Sequence, residues 1–250
     1  MLKHRVIPCV LLKDWQLTKS VGFEEFRTIG HPKVTAKVYN KRNVDELIVL
    51  DIDASSSQKD INFKTLSDIA KECFMPLTLG GGITSLEDIN KLLIIGADKI
   101  SLNTIAIKRP DFIKEASNKF GSQCIVVSID VIKQNKKYKV FNKNLGVIED
   151  LDLLEWAKEC EALGAGEILL TSVNNDGKQC GYDTELISLI SKEITIPIIA
   201  NGGAAEPMDA IKAIKSGADA IAAASIFHFT QYTPQAIKKA LLKEGITVRI

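Results

Sequence analysis

The chain states one structural unit twice, at an offset of 121 residues (197 − 76). Pro76 to Thr104 reads PLTLGGGITSLEDINKLLIIGADKISLNT, and Pro197 to Ser225 reads PIIANGGAAEPMDAIKAIKSGADAIAAAS. Without a gap, 9 of 29 positions are identical, including Gly81/Gly202, Gly82/Gly203 and Gly96-Ala97-Asp98/Gly217-Ala218-Asp219. Each copy is a strand, a Gly-rich turn, a helix, Gly-Ala-Asp and a second strand. Such a repeat constrains architecture before any other signal. Two copies imply a single closed (β/α)₈, or TIM, barrel with two related anion sites. The half-barrels are expected at about residues 1–122 and 123–250.

The 250 residues suit one such barrel. A net charge of +1 argues against a nucleic-acid surface. No apolar run approaches the ~20 residues of a membrane span, and the first residues read as a strand, not a signal peptide. Cys9, Cys73, Cys124, Cys160 and Cys180 are widely spaced with no C-x-x-C pair, as in a reduced cytoplasmic protein. His4, His31 and His228 lack ligand spacing, so no metal is expected, and no cofactor is called for.

Short apolar runs alternate with amphipathic stretches throughout, the pattern of a parallel sheet wrapped in helices. Strands are predicted near 5–11, 46–52, 76–80, 98–102, 124–130, 167–171, 197–201 and 219–223. Helices are predicted near 31–42, 59–73, 85–95, 109–119, 151–163, 183–193, 206–216 and 233–244. Asp60, Ser85, Asp111 and Asp183 read as helix starts or first-turn acids. Residues 14–30 form a long connection without a convincing helix, and 131–146 read as a short basic hairpin.

In such barrels the chemistry sits at the C-terminal ends of the strands. Gly-rich turns free backbone N–H groups for phosphate. One half would gather Gly82, Asn103 and Thr104, and the other Gly202, Gly203, Ala224 and Ser225, around a small ligand with a phosphate at each end. Thr171 and Asp176 lie on the same rim. Asp130 closes an apolar strand, where desolvation favours acid–base use; the alternative is a capping or hairpin-supporting carboxylate. Asp51 and Asp53 alternate along a strand, so at most one should line the interior; Asp51 is the ligand contact chosen. At the opposite end, Arg5, Glu46, Lys99 and Glu167 begin four strands and could close a ring of salt bridges. Composition alone favours ordinary solvated charges there.

The chain carries the runs Arg5-Val6-Ile7-Pro8-Cys9, Leu50-Asp51-Ile52-Asp53, Gly80-Gly81-Gly82-Ile83, Gly164-Ala165-Gly166-Glu167-Ile168-Leu169-Leu170-Thr171-Ser172 and Ala224-Ser225-Ile226-Phe227-His228-Phe229. By these, and over essentially its whole length, it resembles the cyclase subunit of imidazole glycerol phosphate synthase. It implies a class I glutaminase docked on the N-terminal barrel face. Ammonia would then travel along the axis through a gate matching Arg5, Glu46, Lys99 and Glu167. Asp98 matches a partner contact, Lys19 a residue of the first loop, and Asp130 one of two catalytic aspartates. The pair is expected to be a heterodimer of otherwise monomeric subunits.

The other aspartate is absent: its position is Leu11, and leucine transfers no proton. Trp15 stands at a usual glycine and Asn174 at a usual aspartate. This combination resembles a second branch of the family, associated with surface-polysaccharide biosynthesis. It implies a glutaminase-like partner and a separate sugar amidotransferase that makes an acetamidino sugar. Two other readings stay open. One is a true cyclase using Asp130 alone; the other is a non-catalytic scaffold that activates the glutaminase and tolerates Asp130→Asn.

Overall fold

The computed structural model describes residues 3–14, 16–56 and 60–249. Strand β1 (Arg5–Lys13) leads into an antiparallel hairpin of β2 (Gln16–Val21) and β3 (Glu25–Gly30), then α1 (Pro32–Lys41). There follow β4 (Leu47–Asp51), α2 (Asp53–Ser56), α3 (Phe63–Ala70), β5 (Leu77–Gly80), α4 (Leu86–Ile94) and β6 (Lys99–Leu102). Next come α5 (Thr104–Lys108), α6 (Asp111–Phe120), β7 (Ile125–Gln134), β8 (Lys137–Asn142), β9 (Val147–Ile148) and α7 (Leu153–Ala162). The chain continues with β10 (Glu167–Ser172), α8 (Thr184–Ile190), β11 (Ile198–Asn201), α9 (Pro207–Lys215), β12 (Ala220–Ala223), α10 (Ser225–Phe229) and α11 (Pro234–Lys243).

Eight strands, in the order β1, β4, β5, β6, β7, β10, β11 and β12, pair in parallel. The pairings β10–β7 and β1–β12 close the sheet into a (β/α)₈ barrel. Successive strand residues face opposite ways. Ile7, Cys9, Ile48, Val126, Leu169, Ile199, Ala220 and Ala222 therefore pack together inside the barrel. Their neighbours Val6, Val10, Leu47, Val49, Val127 and Ile168 join the larger core under the helices. This two-sided burial is why the strands read as continuous apolar runs.

The repeat is repeated chemistry as well as repeated shape. Asp88 and its equivalent Asp209 sit at the third position of α4 and α9, where each carboxylate accepts two backbone N–H groups. Such caps typically stabilise a helix by about 1 kcal/mol. The acid of Gly-Ala-Asp also has a job in both halves. Asp98 accepts from Leu77 N at 2.8 Å and Asp219 from Ile198 N at 2.9 Å, so each caps the first N–H of the neighbouring strand. Asp45 holds the second N–H of β1, Val6 N, at 2.9 Å and is paired with the buried Lys238 at 2.6 Å.

The predicted barrel strands and long helices are present, with ends shifted by a few residues. Asn62, not Asp60, caps α3, because its side chain accepts from Thr65 N at 3.1 Å. The connection over 14–30 is the β2–β3 hairpin, which continues the β1 ladder through Leu11↔Thr18 and Leu12↔Leu17. The basic hairpin after β7 forms as expected from β7 and β8.

Candidate functional site

At the C-terminal ends of the strands the barrel opens into a cavity of about 250 Å³. Asp130 lies on its wall and is only 8% exposed. Asn103 Nδ2 donates to its Oδ2 at 2.8 Å. Thr171 accepts from Asn201 Nδ2 at 3.2 Å, which leaves its own hydroxyl proton for Asp130. Burial pushes the Asp130 carboxyl up to about 7; the bonds from Asn103 and Thr171 oppose the rise, and the Asp176 charge adds to it. Near neutrality both protonation states are populated, the condition for acid and base duty.

Across the cavity β1 presents Leu11, beside Leu50 of β4 in the ladder and above Cys9. That wall is apolar. Burial raises the Cys9 thiol to about 12, so it supplies no thiolate at neutral pH. Asn174 Oδ1 accepts from Lys133 N at 2.6 Å, which ties β7 to the loop after β10. Trp15 lies outside the described residues.

The two Gly-Gly turns are held to glycine by their surroundings. Gly82 has φ +71, and a Cβ there would fall 2.5 Å from the Ala54 methyl. Gly203 has φ +105, and a Cβ would fall 2.1 Å from the Gly181 carbonyl oxygen. Gly82 joins Asn103 and Thr104 on the main cavity. Gly202, Gly203, Ala224 and Ser225 line an adjoining smaller pocket with Lys19 and Asp176. Lys19 Nζ is paired with Asp176 Oδ1 at 3.2 Å, while Ser20 Oγ donates to Oδ2 and Gly22 N to the Asp176 carbonyl. These bonds hold the β2–β3 hairpin against the loop after β10.

Both Asp51 and Asp53 line the cavity, which corrects the expectation that at most one could. The strand ends at Asp51 and α2 begins at Asp53, so strand alternation no longer applies. Asp51 Oδ1 accepts from the N–H groups of Asp53 and Ala54, and Asp53 Oδ2 accepts from Asp14 N. Asn103 turns out to serve Asp130 directly. Sequence reasoning missed Ser101 and Ser128, although counting two residues back from Asn103 and Asp130 finds them. It also missed Lys13, Phe23, Phe26, Lys143 and Asn144, which reach the cavity only because the hairpins fold over it.

The charged residues at the other end of the axis do form a ring. Arg5 Nη1 lies 2.9 Å from Glu46 and 2.9 Å from Glu167; Lys99 Nζ lies 3.0 Å from each. Thr78 donates to Glu46 at 2.9 Å. Burial works against the Arg5 charge, but Glu167 and Glu46 overcome it and hold the guanidinium pKa above its ordinary value. Ile7, Ile48, Val126, Leu169 and Ile199 form an apolar layer between ring and cavity. Asp98 is exposed on the same face, where Phe74 and Ile94 are 83% and 75% exposed.

A closed (β/α)₈ barrel with a buried carboxylic acid, two crowded Gly-Gly turns and an axial charge ring defines a class of barrel enzyme-type scaffold. Residues 5–233 match the histidine biosynthesis protein family, and the chain belongs to it, among the HisF-type subunits. It is 54% identical to a Campylobacter jejuni protein provisionally named imidazole glycerol phosphate synthase subunit hisF2, over all of both chains. It is 44% identical to imidazole glycerol phosphate synthase subunit HisF of Dictyoglomus thermophilum, again over all of both. The corresponding Dehalococcoides mccartyi subunit is 43% identical over this whole chain and 99% of its own. No helix among the described residues is long and apolar enough to cross a membrane.

Proposed function

We propose that this chain is the ammonia-receiving synthase subunit of a class I glutamine amidotransferase pair, and that its acceptor is a phosphorylated or sugar molecule leading to an acetamidino sugar. The observation that carries the reading is the closed ring of Arg5, Glu46, Lys99 and Glu167 at one end of an axis that ends in the Asp130 cavity. A glutaminase docks on the N-terminal face, over Asp98 and the exposed Phe74 and Ile94. Ammonia enters when a ring pair opens and crosses the apolar layer unprotonated, since ammonium would lose its hydration there. The two Gly-Gly turns, with Thr104 on one side and Lys19 and Ser225 on the other, hold the two ends of the acceptor. The half-barrels, about 1–122 and 123–250, each provide one turn. Asp130, oriented by Asn103 and Thr171, moves the proton between ammonia and acceptor.

Leu11 separates this reading from the histidine-pathway cyclisation, because it removes the second proton-transfer group. Losing one such group typically slows a reaction by ~10²–10⁴-fold. A specific observation favours a second reading, a true cyclase acting through Asp130 alone: its carboxyl is poised at about 7. Ammonia-dependent turnover of the two-phosphate histidine-pathway intermediate decides between them, measured for the wild type and for Leu11→Asp. Ready wild-type turnover establishes the cyclase. Turnover gained only in Leu11→Asp supports the altered acceptor. No binding of the intermediate by either protein sinks the two-phosphate site.

A further inference from the structure

We propose that Lys143 is the cation of the anion subsite formed by Gly82 and Thr104, supplied across the barrel from the opposite half. The inference rests on the two-anion reading above and adds a residue to it. The hairpins of the two halves cross over. Lys19 lies in the first half, on β2, and borders the main cavity, yet it also lines the pocket of Gly203 and Ser225 and is paired with Asp176 of the second half. Lys143 lies in the second half, just after β8, yet lines the cavity of Gly82 and Thr104.

Ladder register makes the correspondence close. Thr18 pairs with Leu11, the inward residue near the end of β1, and Lys19 is the next residue. Val140 pairs with Val131; continuing that register places Phe141 opposite Asp130, and Lys143 follows two residues later. The two lysines thus leave equivalent hairpins one position apart.

The turn that carries Lys143 is built rather than loose. Asn142 is fully buried; its Nδ2 donates to Glu149 at 2.7 Å and its Oδ1 accepts from Leu145 N at 3.3 Å. Gly146 closes the turn with φ +67 and an N–H to the Lys143 carbonyl at 3.2 Å. Asn144 Nδ2 donates to Thr104 Oγ1, fastening the turn to the subsite itself. Lys19 is matched by Asp176 and Lys133 by Glu185, whereas no described carboxylate pairs with Lys143. A flexible cation with no counter-ion among the described residues, anchored one residue from the contact to Thr104, suits a phosphate monoester.

The test is a titration of the ¹⁵N-labelled full chain with inorganic phosphate. The amides of Gly82 and Thr104 are followed beside those of Gly203 and Ser225. Lys143→Gln should weaken binding at the first pair about fivefold and leave the second pair unchanged, and Lys143→Arg should restore it. Lys143 is exposed, so neither change threatens the fold. If phosphate moves Gly82 and Thr104 with the same affinity in wild type and Lys143→Gln, the assignment fails while the two-anion reading stands. If phosphate moves neither pair in the wild type, both fail.

Discussion

Replacing Asp130 by Asn should make the protein more stable, and the gain should depend on pH in a defined direction. The Asp130 carboxyl is raised from 3.8 to about 7 by burial. Between those values the folded protein holds a proton that the unfolded chain has released. Unfolding therefore becomes easier as pH rises through that window, by about 1.4 kcal/mol per unit for this group. The full span of about three units corresponds to ~4 kcal/mol of strain in the folded state above pH 7, relieved below pH 4. Asn is neutral throughout and nearly isosteric, and its amide oxygen still accepts from Asn103. Urea unfolding of both proteins from pH 4.5 to 8 would show two curves that converge at the acid end. Above pH 7 Asp130→Asn should lead by about 2–4 kcal/mol, the lower figure allowing for a weakened bond to Thr171. Parallel curves would refute the reasoning, because they would mean that Asp130 titrates as an ordinary solvated carboxyl.

Lys99→Met should cost about 2–3 kcal/mol by leaving Glu46 and Glu167 to share Arg5, which thermal unfolding checks. Gly203→Ala should cost about 3–5 kcal/mol, since φ +105 and a Cβ 2.1 Å from Gly181 O act together. Gly146→Ala, with φ +67 but nothing within 4 Å, should cost only about 1 kcal/mol in the same denaturation assay. Lys238→Met should cost about 3–5 kcal/mol in urea unfolding, because it strands the buried Asp45 carboxylate.

The barrel was legible because its strands are buried on both faces and its helices on one, which writes two different periods into the chain. The repeat marked the closure, and the strand-end rule found Asp130, Thr171, Asn103 and both Gly-Gly turns. The β2–β3 hairpin escaped because its ladder depends on β1, whose edge becomes available only beyond Pro8, where the pairing with β12 ends. Helices α2, α5 and α10 are of four or five residues, too short for helical periodicity to appear. The pairing of Asn103 with Asp130 spans 27 positions and depends on how far one strand is staggered against the next. The same stagger brings Asn144 to Thr104 across 40 positions.

That stagger is itself guarded by the acids that cap neighbouring strands. In a closed sheet a strand displaced by two residues keeps every inward side chain inward, so hydrophobic patterning barely resists it. Asp45, Asp98 and Asp219 do resist it, each by holding an N–H at the start of the strand beside it. A displaced strand would leave that buried N–H without its carboxylate, at roughly 1–3 kcal/mol for each N–H left unsatisfied. These three side chains act as pegs that count residues. They stand at the foot of the barrel, yet what they determine is the height at which Leu11, Asn103 and Asp130 come to rest at its mouth.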